Sequence, residues 1–247
     1  MTSNQFFVLR LEGGTSRIVI QGDEHRHLAG AARVRAGDEV RLFDAEGNRC
    51  LAEVVAVGRD RTELRVLRRE AAEGLQVELV LVQALLPAKK MEFLLQKSAE
   101  LGCAGFVPVT TERSLKNSPE RSGRKLERWA RIAREATKQS KGGRSTAVRA
   151  PVTLKALLRE AREGRKLFLS ERGGRPLKDV LSAQGPGEDP EPLSVSLVVG
   201  PEGGWTLNEE NLLREAGFEA VGLGHRILKA ETAALAASAM ILHYWNE

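Results

Sequence analysis

Apolar and polar positions follow two different rhythms along this chain, and the change falls close to residue 73. Through the first 72 residues the apolar stretches are short and alternating: QFFVLRL, RIVIQ, DEVRLFDAEGN and CLAEVVAVGRDRTELRVL, separated by Gly, Asp and Asn. A period of two between turn residues predicts strands buried on one face. Several of them together predict a small barrel-like β domain, with one helix near DEHRHLAGAARV. After REAAEGLQ, strand and helix alternate. Strands are expected at 77–86, 105–109, 166–170, 194–199 and 218–223, and helices at 89–101, 122–140, 153–163, 207–216 and 230–244. SVSLVV is apolar on nearly every position, as in a parallel sheet covered on both faces. SAQGPGEDPEPL, ahead of the fourth of these strands, reads as exposed loop.

Composition narrows the class. With 247 residues, 42% hydrophobic and 29% charged, the chain has the make-up of a soluble globular protein, and no apolar run approaches the roughly 18 residues of a membrane span. MTSNQFFVLRLEGG lacks the basic start and long apolar stretch of a secretory leader, so a cytoplasmic location is expected. Cys50 and Cys103 have no CxxC spacing and are expected to be buried apolar residues. The HRH of His25–His27 reads as surface contact. Two histidines do not make a zinc site, and no metal is expected.

Charge changes the picture more. The overall excess is +5, but the stretch from Arg113 to Arg149 holds twelve Lys or Arg against three Glu, an excess of nine, leaving the remainder negative. Polyanion binding responds to local positive density of this kind, although a solvated helix face has the same composition. Leu126, Trp129, Ala130, Ala133 and Ala136 fall at helical spacing, with the basic side chains mostly on the other positions. The helix ends at KQSKGGR, which places Arg144 on a Gly-Gly loop.

LVVGPEGGW, Leu197–Trp205, then asks for a ligand. It lies at the carboxyl end of an expected parallel strand, where α/β sheets usually bind one. Trp205 and Thr206 exclude the GxxxxGK[ST] phosphate loop, and GLGHRI at 222–227 lacks the third small residue of a dinucleotide fingerprint. Thr206 and Glu209 have the spacing of a capping box. A second polar loop, with His225, Arg226 and Lys229, leads into a helix of small residues opened by Glu231.

Together GPEGGW, LGHRILKAETAAL, KKMEFLLQKSAELG, EATKQSKGGR and HRHLAGAARVRAGDEVRLFDAEG resemble the RsmE family, the small-subunit ribosomal RNA uridine-N3 methyltransferases of the SPOUT superfamily. The resemblance covers nearly the whole chain. It implies an α/β fold: a PUA-like β-barrel over residues 1–72, and over 73–247 a parallel-sheet domain tied in a trefoil knot. It also implies S-adenosylmethionine as cofactor, a homodimer, no membrane, and 16S rRNA on the 30S subunit as substrate. Periodicity says nothing of a knot, and threaded chains are rare.

Carried over by position, the cofactor loops are Leu169, Ser170 and Glu171; Gly200, Pro201, Glu202, Gly203 and Gly204; and Leu223, Gly224, Ile227 and Leu228. RNA contacts are expected from Arg26, His27, Lys89, Arg124, Arg128, Arg131, Lys138 and Arg149. Where the family usually has Arg-Thr before Glu-Thr, this chain has Lys229-Ala230, and QSKGGR holds one residue more than the family's basic loop. Methyl transfer from a sulfonium is an in-line displacement dominated by positioning. The acceptor N3 of uracil must lose an imide proton. Arg144 is the candidate for stabilising the resulting charge, and Glu231 for taking the proton, unless Glu231 only opens its helix. Ribose 2′-hydroxyl enzymes of related fold share a Ser-Leu-Asn segment where ETAAL stands here. A non-catalytic RNA-binding module accounts for the basic tract but not for three cofactor loops.

Overall fold

A computed structural model describes residues 5–44, 46–70, 76–115, 122–140, 142, 144–160, 164–183, 185–186 and 191–246. The chain divides into two compact units: Met1–Glu73 with Thr137–Ser145, and Gly74–Ala136 with Thr146–Glu247.

The first unit is a five-stranded mixed sheet. Its strands are β1 (Gln5–Phe7), β2 (Arg17–Gln21), β3 (Glu39–Phe43), β4 (Arg49–Val57) and β5 (Arg61–Glu70), in the order β1-β3-β4-β5-β2. Only β1 and β3 run parallel; the other pairs are antiparallel. The alternation read from the sequence is the burial pattern. In β4, Cys50, Ala52 and Val54 face a core of Phe6, Leu28, Leu42 and Leu64, while their neighbours are partly exposed. The expected helix is α1 (Gly22–Arg26), continued by a π-type turn at His27–Ala31. His25 corrects the surface reading of HRH: it is 5% exposed, and its Nδ1 lies 2.9 Å from Thr62 Oγ1.

One carboxylate fixes the turn that follows β3. Asp44 is fully buried and accepts from the backbone N–H groups of Leu11, Glu46 and Asn48 and from the Asn48 side chain, each at 2.9 Å. Burial pushes its pKa up, but these four hydrogen bonds outweigh that and hold it below the ordinary carboxylate value.

In the second unit, β6 (Val77–Ala84), α2 (Ala88–Glu100), β7 (Gly105–Thr110) and α3 (Ser122–Gln139) are followed by the two-residue strands β8 (Ala147–Val148) and β9 (Val152–Thr153). Then come α4 (Leu154–Arg159), β10 (Arg165–Leu169), β11 (Arg175–Pro176), α5 (Leu177–Ala183), β12 (Leu193–Val199), α6 (Leu207–Glu215), β13 (Glu219–Gly222) and α7 (Ala230–Asn246). The sheet order is β11-β13-β10-β12-β6-β7-β8, with β9 also beside β7, and every pair is parallel. Both faces are covered. On one, Leu79, Leu81, Leu197 and Val199 meet α2, α3, α5 and α7; on the other, Val82, Val107, Phe168 and Val198 meet α4 and α6. That double burial is why SVSLVV shows no alternation. The helix expected at 153–163 is shorter, ending at Arg159; 161–163 lie outside the described residues, as do 184 and 187–190 of the expected loop. Cys103 and Cys50 are buried, as expected, and burial pushes the Cys103 thiol up to about 12. No helix is long and apolar enough to cross a membrane among the described residues.

Candidate active site

In the order β13-β10-β12 three parallel strands lie side by side, so the loops leaving their carboxyl ends share one edge of the sheet. They enclose a cleft of about 880 Å³. All twelve residues expected at the cofactor lie on its wall: Leu169–Glu171, Gly200–Gly204, and Leu223, Gly224, Ile227 and Leu228.

Each loop is held by residues distant in sequence. Trp205 joins two of them: its Nε1 donates to the Leu169 carbonyl at 2.8 Å, and its ring lies where a Cβ on Gly200 would come within 3.0 Å. Gly200 is therefore required by the indole packed against it. From below, the fully buried Gln83 donates through Nε2 to the Gly200 carbonyl at 3.2 Å. The expected capping box is present: Thr206 and Glu209 bond reciprocally at the start of α6. Glu209 also accepts from the Glu112 backbone at 2.8 Å, and Arg113 donates to the Gly203 carbonyl at 3.0 Å, so the 112–113 turn clasps the glycine loop from outside. A Cβ on Gly203 would meet the Arg113 side chain at 3.3 Å. In the first loop, Ser170 donates to the buried Glu210 at 3.1 Å.

Gly224 differs. Its φ is +104°, and the space where a Cβ would stand is open. There the main chain faces the cleft bare, and a side chain would cost backbone strain. At Gly174 a Cβ would lie 2.5 Å from the Ala220 carbonyl, so the chain after β10 crosses β13 at backbone contact distance.

Lys90, in the first turn of α2, also lines the cleft; it donates to Glu202 of the glycine loop and, at 2.8 Å, to Glu231, which lies near the start of α7 outside the lining. Burial pushes the Glu231 carboxyl up, but the Lys90 hydrogen bond and the charges of Lys90 and Lys229 hold it below the ordinary value. Lys90 is raised, first by its bond to Glu202 and then by Glu231. Lys90 and Glu231 are thus both ionised at neutral pH. The second oxygen of Glu231 is buried and has no hydrogen-bond partner.

Lys90, Trp205 and Glu210 were not anticipated. Lys89 was singled out beside Lys90, yet the residue one step on, rotated about the helix by roughly 100°, is the one in the cleft wall. Trp205 could have been found: a buried indole beside a glycine turn needs an acceptor for its N–H.

Arg144 belongs to the first unit, and the cleft is lined by residues of the second alone. Arg144 is exposed, and its aliphatic stem runs over Gly47, whose missing Cβ would lie 3.5 Å from Arg144 Cδ. Among the expected RNA contacts, Arg26, His27, Lys89, Arg124, Arg128, Arg131 and Arg149 are exposed. Arg128 pairs with Glu92 and Arg149 with Glu160, each at 2.7 Å, and Arg26 pairs with Asp23. Lys138 differs: its side chain is 7% exposed and paired with Glu24 within the first unit. The buried face of α3 carries Trp129, Ala133 and Ala136 as expected, and Lys125 stands 4.6 Å from the Trp129 ring.

Residues 73–242 match the RNA methyltransferase domain family, and residues 20–67 the RNA methyltransferase PUA domain. The ribosomal RNA small subunit methyltransferase E of Mycobacterium bovis is 31% identical over 243 residues, covering 96% of this chain and 90% of that protein. The chain belongs to the ribosomal RNA small subunit methyltransferase E family. Its Bacillus subtilis relative is 29% identical over 90% of this chain. The Neisseria gonorrhoeae member, solved bound to S-adenosyl methionine, superimposes with a TM-score of 0.85 at 30% identity, covering 98% of each chain. The family's α/β domain and PUA-like domain are both present here.

Proposed function

We propose that the protein methylates N3 of a specific uridine in 16S ribosomal RNA, using S-adenosylmethionine, on the assembled 30S subunit. The observation that carries this is the convergence of three strand-end loops on one cleft with bare main chain at Gly224. The cleft fits the cofactor: it has the volume for it, and the main chain of three loops forms its walls. Leu169–Glu171, Gly200–Gly204, Leu223, Gly224, Ile227 and Leu228 are the residues to hold it. S-adenosylmethionine bound there supplies an electrophilic methyl group on a sulfonium.

The rest of the work falls to the chain. Arg144 stabilises the negative charge that builds on a uracil carbonyl as the N3 proton leaves, and a preorganised donor of this kind lowers the barrier substantially. Glu231 is ionised and able to accept a proton, but the Lys90 contact that keeps it ionised also weakens it as a base. The exposed arginines Arg26, Arg124, Arg128, Arg131 and Arg149, with His27 and Lys89, meet the RNA backbone, and Lys138 supports the segment carrying Arg144. The reading extends to residues 1–72 as the RNA-docking domain, a trefoil knot within 73–247, two chains in the working enzyme, and a cytoplasmic location.

Methylation at N3 removes a Watson–Crick donor and stops reverse transcriptase. Incubating the protein and cofactor with unmodified 30S subunits should therefore create one new stop in the 16S rRNA. A modified ribose with no such stop would overturn the uridine-N3 reading. Arg144→Ala should slow single-turnover methylation about 100- to 1000-fold at saturating RNA and cofactor. A normal rate with merely weaker RNA binding would reduce Arg144 to a phosphate contact.

A further inference from the structure

Two consecutive glutamates sit in the first turn of α6, and both are buried: Glu209 is 3% exposed and Glu210 7%. Glu209 is fully employed. Its Oε1 accepts from the Glu112 backbone at 2.8 Å and its Oε2 from the Thr206 backbone at 3.0 Å, which completes both the cap of α6 and the clasp on the glycine loop. Glu210 is only half employed. Its Oε1 accepts from Ser170 Oγ at 3.1 Å, and that hydroxyl accepts in turn from the Arg172 backbone at 3.2 Å. Its Oε2 makes no hydrogen bond among the described residues, yet is not sealed from solvent, and no Lys or Arg among them pairs with the side chain. Glu210 lies on the cleft wall, so the open side of that oxygen is the cleft. The N-terminal dipole of α6 offsets part of the cost of placing a carboxyl group there, but an acceptor withdrawn from water still lacks a donor.

We propose that Glu210 recognises the cofactor directly, its Oε2 accepting a hydrogen bond from an O–H or N–H group of the bound methyl donor. The inference rests on the cofactor reading above. S-adenosylmethionine carries such donors at the adenine amino group, the two ribose hydroxyls and the methionine ammonium, and the product S-adenosylhomocysteine keeps all of them. Ser170 restrains the carboxyl group through Oε1 and is itself held by the Arg172 N–H, so the free oxygen is presented by a fixed group rather than a mobile one. The division of labour between neighbours is then plain: Glu209 builds the loop, and Glu210 reads what lies against it.

Calorimetric titration of the full-length protein with S-adenosylhomocysteine, and with its 2′-deoxy, 3′-deoxy, deaminated and ammonium-free analogues, tests this in the wild type and in Glu210→Leu. Glu210→Leu should bind S-adenosylhomocysteine at least about tenfold more weakly. One analogue should lose a similar factor against the wild type and almost nothing against Glu210→Leu, and the group it lacks is the partner of Oε2. A side chain that only steadies the Ser170 loop would not single out one group of the ligand. Glu210→Gln, of the same size, serves if the leucine variant does not fold: it loses the charge and should show the same selective coupling at a smaller value. Every analogue losing equal factors in wild type and variant, or a folded Glu210→Leu with unchanged affinity, overturns the proposal. Wild-type protein that binds neither S-adenosylmethionine nor S-adenosylhomocysteine overturns the cofactor reading, and this inference with it.

Discussion

The turn at Asp44 and the loop at Gly200–Gly204 solve the same problem by opposite means. Each is a polar, glycine-bearing reversal at the end of a strand, with backbone donors and acceptors that must be satisfied without a neighbouring strand. In the first unit one buried carboxylate collects three backbone N–H groups, two of them within four residues of itself. In the second, no side chain inside the loop holds it by that means. Gln83, Trp205, Glu209 through the 112–113 turn, and Arg113 fix it from separate elements. A turn that satisfies itself is rigid and closed. A loop braced from behind leaves its front main chain free, which is what a ligand site requires.

Removing the brace and removing the carboxylate should therefore fail differently. Trp205→Ala takes a 4%-exposed indole from between two loops and should cost about 4 kcal/mol of stability, with loss of measurable cofactor binding. Trp205→Phe keeps most of the ring contact and loses the bond to Leu169, at about 1 kcal/mol. Denaturant unfolding and calorimetry read both effects, and full cofactor affinity in a folded Trp205→Ala protein would break the comparison.

Asp44→Ala should cost about 3 kcal/mol by stranding the buried Leu11 N–H and the part-buried N–H groups of Glu46 and Asn48, and leave cofactor affinity unchanged. Because the folded pKa of Asp44 lies below its unfolded value, its contribution is complete above the ordinary carboxylate range and is lost as pH falls through the folded pKa. Asp44→Asn should accordingly flatten the acid limb of the stability profile. An unaltered limb would show that other carboxylates govern it.

The smallest effects separate exposed from enclosed cations. Arg131→Ala should reduce the log–log salt slope of RNA affinity by about 0.7–0.9 with no change in stability. Lys138→Ala, which leaves the partly buried Glu24 without its cation, should lower the melting temperature and leave that slope alone. The reverse assignment would mean that the Lys138 pair opens to meet RNA.

These contrasts also explain what was legible in the sequence. The strands of β4 and β12 and the apolar face of α3 follow from local periodicity, and the Thr206–Glu209 cap from a spacing of three. The segment Arg175–Ala183 was missed because its apolar positions, Leu177, Val180 and Leu181, span barely one helical turn. His25 was misplaced because its partners, Thr62 and the Arg59 carbonyl, lie more than thirty residues away. The twelve loop residues came from ordered motifs, whereas Lys90 and Gln83 do their work through contacts more than a hundred residues apart, which no window on the chain can show.

Gly47 has a φ of +89°, and the Arg144 stem lies 3.5 Å from where its Cβ would stand, in contact with it but leaving no room for a longer side chain in that direction. A protein engineer grafting the basic loop onto another scaffold would need to carry the 44–48 turn with it, since a bulkier residue at 47 would re-aim a guanidinium ninety-seven positions downstream. Across a lineage the two sites should drift as one heritable character, with substitutions at either tolerated only in the company of a matching change at the other.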